Sequence, residues 1–312
     1  MTKAALSALI RPLVEPRLPD WVEPHWFTSR EEALEIAPSA EIGWFDFNDK
    51  QPMIEAVRAA ENLKWLNSIY AGLDFLPLDV LQERGTVVTN GVGINALTIA
   101  EYTVMLMLAH AKGYRDVVRA QDRNEWLLDS PGKRELAGER VLLLGLGAIG
   151  SLVKTRLEAF DMEVVPVRRS GGEGALRPDE WRDRLGEFGW VILAVPSTPD
   201  TRHMIGAAEL DAMRSDAVVV NIARGDVIDQ AALVEALHAK SIEAALLDVT
   251  EPEPLPEDHP LWSLENAQVT MHLSGRAQTK MFQRSADRFI ENLARWRAGD
   301  PVTPQMDLEH GY

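Results

Sequence analysis

Apolar residues in this chain fall into short runs separated by segments of helical spacing, and the rhythm occurs in two series. In the first, between 42 and 90, Ile42-Gly43-Trp44-Phe45-Asp46-Phe47 is a short apolar run and Pro52 to Ala60 has helical spacing. Leu63 to Tyr70 alternates as a strand does, Pro77 to Arg84 is helical, and Thr86-Val87-Val88-Thr89 reads as a strand ended by Asn90-Gly91. Strands separated by helices predict a parallel sheet covered on both faces. The first 40 residues are Pro-rich and give no clear pattern. A dense apolar stretch from Leu97 to about Arg123 predicts one long helix, broken afterwards by Asp129-Ser130-Pro131-Gly132-Lys133.

The second series starts at Arg140. Strands are predicted at Val141–Leu144, Glu163–Val167, Trp190–Val195, Ala217–Ile222, Glu243–Leu247 and Val269–Met271. Helices are predicted at Ala148–Phe160, Glu209–Met213 and Ala231–Ala239, the last with Asp229 as its N-cap, and Gln278–Ala298 forms a terminal helix.

A length of 312 residues exceeds one ordinary core and fits two domains. An apolar fraction of 46% with 26% charged residues fits a folded protein. The 32 Lys and Arg against 48 Asp and Glu give a net charge of −16, which argues against a non-specific grip on nucleic acid or acidic lipid. The absence of cysteine removes disulfides, thiolate chemistry and Cys-based zinc sites, and the seven histidines form no ligand-spaced helix, so no metal is expected. The N-terminus lacks the layout of a signal peptide and no apolar stretch reaches the length of a membrane span, so a cytoplasmic location is the default expectation.

The chemistry concentrates in the second series. Gly145-Leu146-Gly147-Ala148-Ile149-Gly150 is a G-x-G-x-x-G turn that follows a buried-type strand and opens a helix. The first glycine suits the tight turn, the second lets a pyrophosphate approach the backbone, and the third lets helix and strand pack closely. The helix N-terminus then offers N–H groups and partial positive charge to phosphates. The residue that reads the ribose is expected at the end of the next strand. Arg168-Arg169-Ser170 stands there, with Arg168 lying 23 residues after Gly145. Two guanidinium groups and a hydroxyl suit a 2′-phosphate, and hence NADP(H). The same pair also fits a solvated surface with NAD(H) held through other contacts. Further polar residues fall at other strand ends: Val195-Pro196, then Ile222-Ala223-Arg224, Asp248 and His272, with Glu253 close behind Asp248. An arginine at such an end can hold a carboxylate with two hydrogen bonds, and a histidine can pass a proton. Trp44, Trp126 and Met281 are candidates for a substrate side-chain pocket, although core or interface positions explain them as well.

Over nearly its whole length, and most clearly from Leu63 to Gly275, the sequence resembles the D-isomer-specific 2-hydroxyacid dehydrogenases. The resemblance is carried by Tyr70-Ala71-Gly72-Leu73-Asp74, by Gly93 with Ala100-Glu101-Tyr102, and by GLGAIG. It continues through NIARGDVID (221–229), LLDVTEPEPLP (246–256), HPLW (259–262) and MHLSG (271–275). It implies an α/β protein of two Rossmann-like domains with parallel sheets and the active site in the cleft between them. Residues 1–92 with 275–312 would form the flavodoxin-like substrate domain and 93–274 the dinucleotide-binding domain, with 97–123 as an interdomain helix. A homodimer is the family's usual assembly. The resemblance makes Arg224 the residue that binds the substrate carboxylate and carbonyl, His272 the acid/base and Glu253 its partner, Glu251 being out of register. It makes Asp248 a nicotinamide-contacting acid and Ala71-Gly72-Leu73 the backbone loop that receives the substrate carboxylate.

Three positions depart from the pattern. Arg168 stands where NAD-preferring members carry Asp, Met271 where most carry Pro, and Tyr102 where a His is usual. The Arg-Arg-Ser end and the C-terminal segment 307–312 look closest to glyoxylate/hydroxypyruvate reductases. The expected activity is therefore reduction of a small 2-oxo acid. A cofactor-sensing binding protein, like the co-repressors related to this family, is the alternative on the same fold.

Overall fold

The computed structural model describes residues 1–308 apart from 48, 74, 173, 277 and 278. Asp74 of the substrate-loop motif, Gln278 as a helix start and residues 309–312 therefore lie outside the described residues. Contacts divide the chain into Met1–Asn95 with Gln278–Tyr312, and Ala96–Ala277.

The first unit is built on a parallel five-stranded sheet in the order β2-β1-β3-β4-β5. Its strands are β1 (Thr2–Ser7), β2 (Val22–Phe27), β3 (Ile42–Trp44), β4 (Trp65–Asn67) and β5 (Val87–Thr89). β1 and β2 form from the Pro-rich segment that gave no pattern. β2 is an edge strand of mostly half-buried residues carrying Pro24, and an edge is where a sheet tolerates a residue without an N–H. Both faces of the sheet are covered. One packs Phe45, Leu66 and Val88 with Met53 and Val57 of the Lys50–Ala59 helix, and the other packs Trp44 and Trp65 against Phe289 of the Met281–Ala298 helix.

The second unit has a parallel six-stranded sheet in the order β11-β10-β9-β8-β6-β7. The strands are β6 (Arg140–Leu144), β7 (Glu163–Val167), β8 (Trp190–Leu193), β9 (Val218–Asn221), β10 (Ala244–Leu247) and β11 (Ala267–Val269). Successive residues of β6 alternate between two cores: Leu142 and Leu144 face one, Val141 and Leu143 the other, all fully buried. Each such leucine contributes roughly 1.5–3 kcal/mol through burial, and this two-sided covering is why these strands read as continuous apolar runs. Edge strand β7 again carries a proline, Pro166.

Two expectations need correcting. The stretch 97–123 is two helices, Ala96–Ala111 and Tyr114–Asp122, both in the second unit. Gly113 between them sits at φ +59, and a Cβ there would lie 2.7 Å from the Gly132 nitrogen, so close packing of the 131–132 backbone fixes the break. The last strand ends at Val269, two residues early, because Met271 and His272 turn off at φ +55 and +56. Among the described residues, no helix is long and apolar enough to cross a membrane.

Candidate active site

The neighbours β7 and β8 leave β6 in opposite directions, so the carboxyl end of β6 is the sheet's switch point, where open α/β sheets bind ligands. Gly145-Leu146-Gly147-Ala148-Ile149-Gly150 lies there. Gly145 is at φ +103, and a Cβ on it would meet the Ala194 carbonyl oxygen at 2.5 Å. A Cβ on Gly150 would stand 2.0 Å from the Gly145 oxygen, whereas one on Gly147 meets nothing within 4 Å. The outer glycines are thus required by packing and the middle one borders open space. The helix that follows, Ala148–Glu158, has no acidic residue in its first turn, so nothing opposes an anion at its N-terminus. Val195 and Pro196 follow β8 beside this turn, and the Pro196 carbonyl is held by the Thr201 hydroxyl at 2.7 Å.

The Gly145 N–H donates to the Val167 carbonyl at 3.1 Å, which sets Arg168 immediately beside the glycine turn. Arg168, Arg169 and Ser170 are exposed, in a turn closed by the Gly171 N–H on the Arg168 carbonyl.

At the end of β9, Asn221 stitches the next turn. Its side-chain oxygen accepts from the Ala223 N–H and its amide donates to the Arg224 carbonyl. Ile222 and Ala223 are buried and Arg224 is half-buried, its guanidinium donating to the Ala223 carbonyl at 2.8 Å. A Cβ on Gly225 would lie 2.1 Å from the Thr250 carbonyl group, so this turn is pressed against the loop that carries Glu253.

His272 Nδ1 and Glu253 Oε2 are 2.8 Å apart, which leaves Nε2 for a ligand. The other Glu253 oxygen accepts from the Thr250 N–H. Burial alone would push the Glu253 carboxyl up; the His272 hydrogen bond and charge, the Thr250 N–H and the Arg224 charge outweigh it and hold the group below its ordinary value. Side-chain exposures of 45% for His272 and 39% for Glu253 keep the pair open to small molecules. Glu251 is occupied elsewhere, 3.4 Å from Arg202.

Asp248 is buried beneath this pair. Its carboxylate accepts from the Thr270 hydroxyl, the Leu273 and Ser274 N–H groups and the Ser274 hydroxyl, while its carbonyl accepts from the His272 N–H. Much of its capacity is thus spent on the turn that delivers the imidazole, a role its position in the sequence did not suggest.

In the first unit, Ala71 is exposed, Gly72 half-buried and Leu73 buried. Beneath them lies Asp46, just past β3, accepting from Trp44 Nε1, the Ile69 N–H and the Ser68 hydroxyl. Asp46 and Ser68 carried no signal in the sequence, since an acid in the run Trp44-Phe45-Asp46-Phe47 resembles any loop residue. Of the pocket candidates, Trp44 is a core residue, Met281 is half-buried, and Trp126 is 89% exposed beside Leu128 at 97%.

Residues 104–274 match the D-isomer specific 2-hydroxyacid dehydrogenase, NAD binding domain. A D-3-phosphoglycerate dehydrogenase of Methanocaldococcus jannaschii is 33% identical over 268 residues, which are 84% of this chain and 50% of that protein. The chain spans about half the length of such relatives. A glyoxylate reductase of Thermofilum pendens is 33% identical over 86% of this chain and 81% of its own. A D-isomer specific 2-hydroxyacid dehydrogenase family protein from Aeromonas salmonicida, 27% identical, superposes with a TM-score of 0.87, covering 98% of this chain and 99% of that one. A dehydrogenase of the same description from Xanthobacter autotrophicus, solved with NADPH and MES, is 26% identical with a TM-score of 0.80, covering 100% and 99%. Two parallel α/β units, one with a dinucleotide-type glycine turn at a switch point, define a Rossmann-like fold. The chain belongs to the D-isomer-specific 2-hydroxyacid dehydrogenase family.

Proposed function

We propose that the protein reduces a small 2-oxo acid of the glyoxylate or hydroxypyruvate kind to the D-2-hydroxy acid, with NADPH as the preferred reductant and NADH as the weaker alternative. The observation that carries this reading is the His272–Glu253 pair, whose free Nε2 lies in the same unit as Arg224 and the glycine turn. Gly145 to Gly150, Val195, Pro196, Ile222 and Ala223 would hold the dinucleotide, with Asp248 behind them securing the His272 turn. Arg168, Arg169 and Ser170 would take the 2′-phosphate. When bound, the nicotinamide supplies the hydride. Arg224 clamps the substrate carboxylate and draws charge from the ketone oxygen, helped by the backbone of Ala71, Gly72 and Leu73. Protonated His272 delivers the hydroxyl proton from Nε2 while Glu253 holds the ring through Nδ1. The exposed apolar surface of Trp126, Leu128, Tyr114 and Val117 supports a homodimer through the second unit.

The test is NADPH and NADH oxidation with a panel of 2-oxo acids, alongside cofactor titration. NADPH should bind more tightly, and Arg168→Asp should erase or reverse the preference because it replaces attraction by repulsion. Equal affinities in the wild type would sink the cofactor assignment. Arg224→Lys keeps the charge but loses the planar fork, and should lower kcat/KM by about 100-fold with cofactor affinity unchanged. Absence of turnover with every acid would sink the reductase reading.

A further inference from the structure

Three observations in the first unit converge on one carboxylate. Asp46 is buried past the end of β3 and collects three donors: Trp44 Nε1 at 2.6 Å, the Ile69 N–H at 2.6 Å and the Ser68 hydroxyl at 2.7 Å. Ser68 passes the grip onward, its oxygen accepting from the Tyr70 N–H at 3.2 Å. From the far side, the Gly91 N–H holds the Tyr70 carbonyl at 2.7 Å and the Asn90 amide holds the Ala71 carbonyl at 2.9 Å. The N–H groups of residues 69 and 70 are thereby turned inward and used. Among the described residues, no acceptor meets the N–H of Ala71, Gly72 or Leu73. Successive N–H groups without acceptors form the kind of backbone concavity that binds an anion.

We infer that Asp46 is the positioning residue of this loop, setting the Ala71–Leu73 amides for the substrate carboxylate. The inference rests on the substrate-loop reading given under Proposed function. An ionised carboxylate is acceptor-only and can take three donors at once, which few side chains of this size can do. It is also a poor choice for stability alone. Burial pushes Asp46 up to about 6 despite its three hydrogen bonds, none of them from a charged group. What it contributes is position: it ties the end of β3 to the end of β4 at the point where the loop departs.

The experiment compares Asp46→Ala, Asp46→Asn and Ser68→Ala with the wild type at pH 7.5. Asp46→Ala should raise KM for glyoxylate by about tenfold or more, as expected when buried donors lose their acceptor, with kcat within about threefold and NADPH affinity unchanged. Asn can still accept from Ile69 and Trp44 while donating to Ser68, so Asp46→Asn should recover KM to within about threefold of wild type. Ser68→Ala leaves the Asp46 bonds to Trp44 and Ile69 and cuts the relay from Asp46 through Ser68 to Tyr70; it should raise KM several-fold, and decides the matter if Asp46→Ala does not fold. Amide exchange at residues 69–73, read without substrate, should accelerate in the Ala variants and stay near wild type in Asp46→Asn. If the wild type turns over no 2-oxo acid, the function reading fails by itself, while exchange still tests whether Asp46 holds the loop. Accelerated exchange with unchanged KM, or a lowered melting temperature with neither change, would overturn the proposal.

Discussion

The two units each present backbone N–H groups suited to an anion, and they do so by different means. In the second unit the turn after β6 is shaped by absent side chains: Gly145 and Gly150 have no room for a Cβ, and a helix N-terminus supplies the donors. In the first unit the loop after β4 is shaped by a side chain present underneath it, the Asp46 carboxylate. The first device lies within six consecutive residues. The second joins residues more than twenty positions apart and needs a buried charge. A glycine turn is therefore robust to sequence change around it, whereas the carboxylate-hung loop depends on one distant side chain.

Paired glycine substitutions should separate the two devices most sharply. Gly150→Ala would bring a Cβ to 2.0 Å from the Gly145 oxygen, and the turn must open. NADPH affinity should fall by about 100-fold or more, equivalent to about 3 kcal/mol, with exchange at 69–73 unchanged. Gly91→Ala would bring a Cβ to 1.9 Å from the Ile69 carbonyl oxygen and push on the opposite loop. Its effect should be smaller and of the other kind, about a tenfold rise in KM with NADPH affinity intact. Fluorescence titration with the dinucleotide and steady-state kinetics read both. If each variant impaired both quantities alike, the two devices would not be independent.

A subtler effect follows from the buried acid. The folded-state value of Asp46 is raised to about 6, so between that pH and the ordinary aspartate range the folded chain binds a proton that the unfolded chain does not. Its contribution to stability thus improves as pH falls from 7 towards 5, and the cost of burying the charge is fully present above 6. Asp46→Asn lacks this dependence. Its melting temperature should equal or exceed that of the wild type at pH 7.5, and the gap should narrow as pH falls below 6 and close only near the ordinary aspartate value of about 4. Each kcal/mol corresponds to roughly 4 °C. Thermal melts across that range check it, and a gap independent of pH would show that the charge carries no such cost.

The contrast also explains what the sequence made legible. The β6–β11 strands were readable because both faces of their sheet are buried, and the Gly145 turn because only glycine satisfies its packing. β1 and β2 escaped notice: the edge strand β2 mixes Glu23, Pro24 and His25 with apolar neighbours, and such half-covered strands have no continuous apolar signature. The break at Gly113 was invisible because the backbone that enforces it, at Pro131 and Gly132, arrives from almost twenty residues further on. Arg224 and His272 stood out as polar residues at strand ends, with Glu253 close behind Asp248, but the roles expected of them came from the family pattern. Asp46, Ser68, Thr270 and Ser274 were missed because their work lies in hydrogen bonds between segments, which no spacing rule records.

Met271 at φ +55, directly before His272, bears on how this protein should be engineered. A common route to hardier enzymes replaces each unusual residue with the one its relatives favour. At position 271 that rule selects proline. A pyrrolidine ring locks φ near −65°, on the opposite side of the map, so the exchange would have to rebuild the turn that aims the imidazole. Here the histidine is aimed through the hold of Asp248 on the backbone and side chains around it, not through a rigid ring before it. Glycine, which accepts positive φ at no steric cost, is the replacement this backbone admits, and family averages are a poor guide at the residue next to the proposed proton donor.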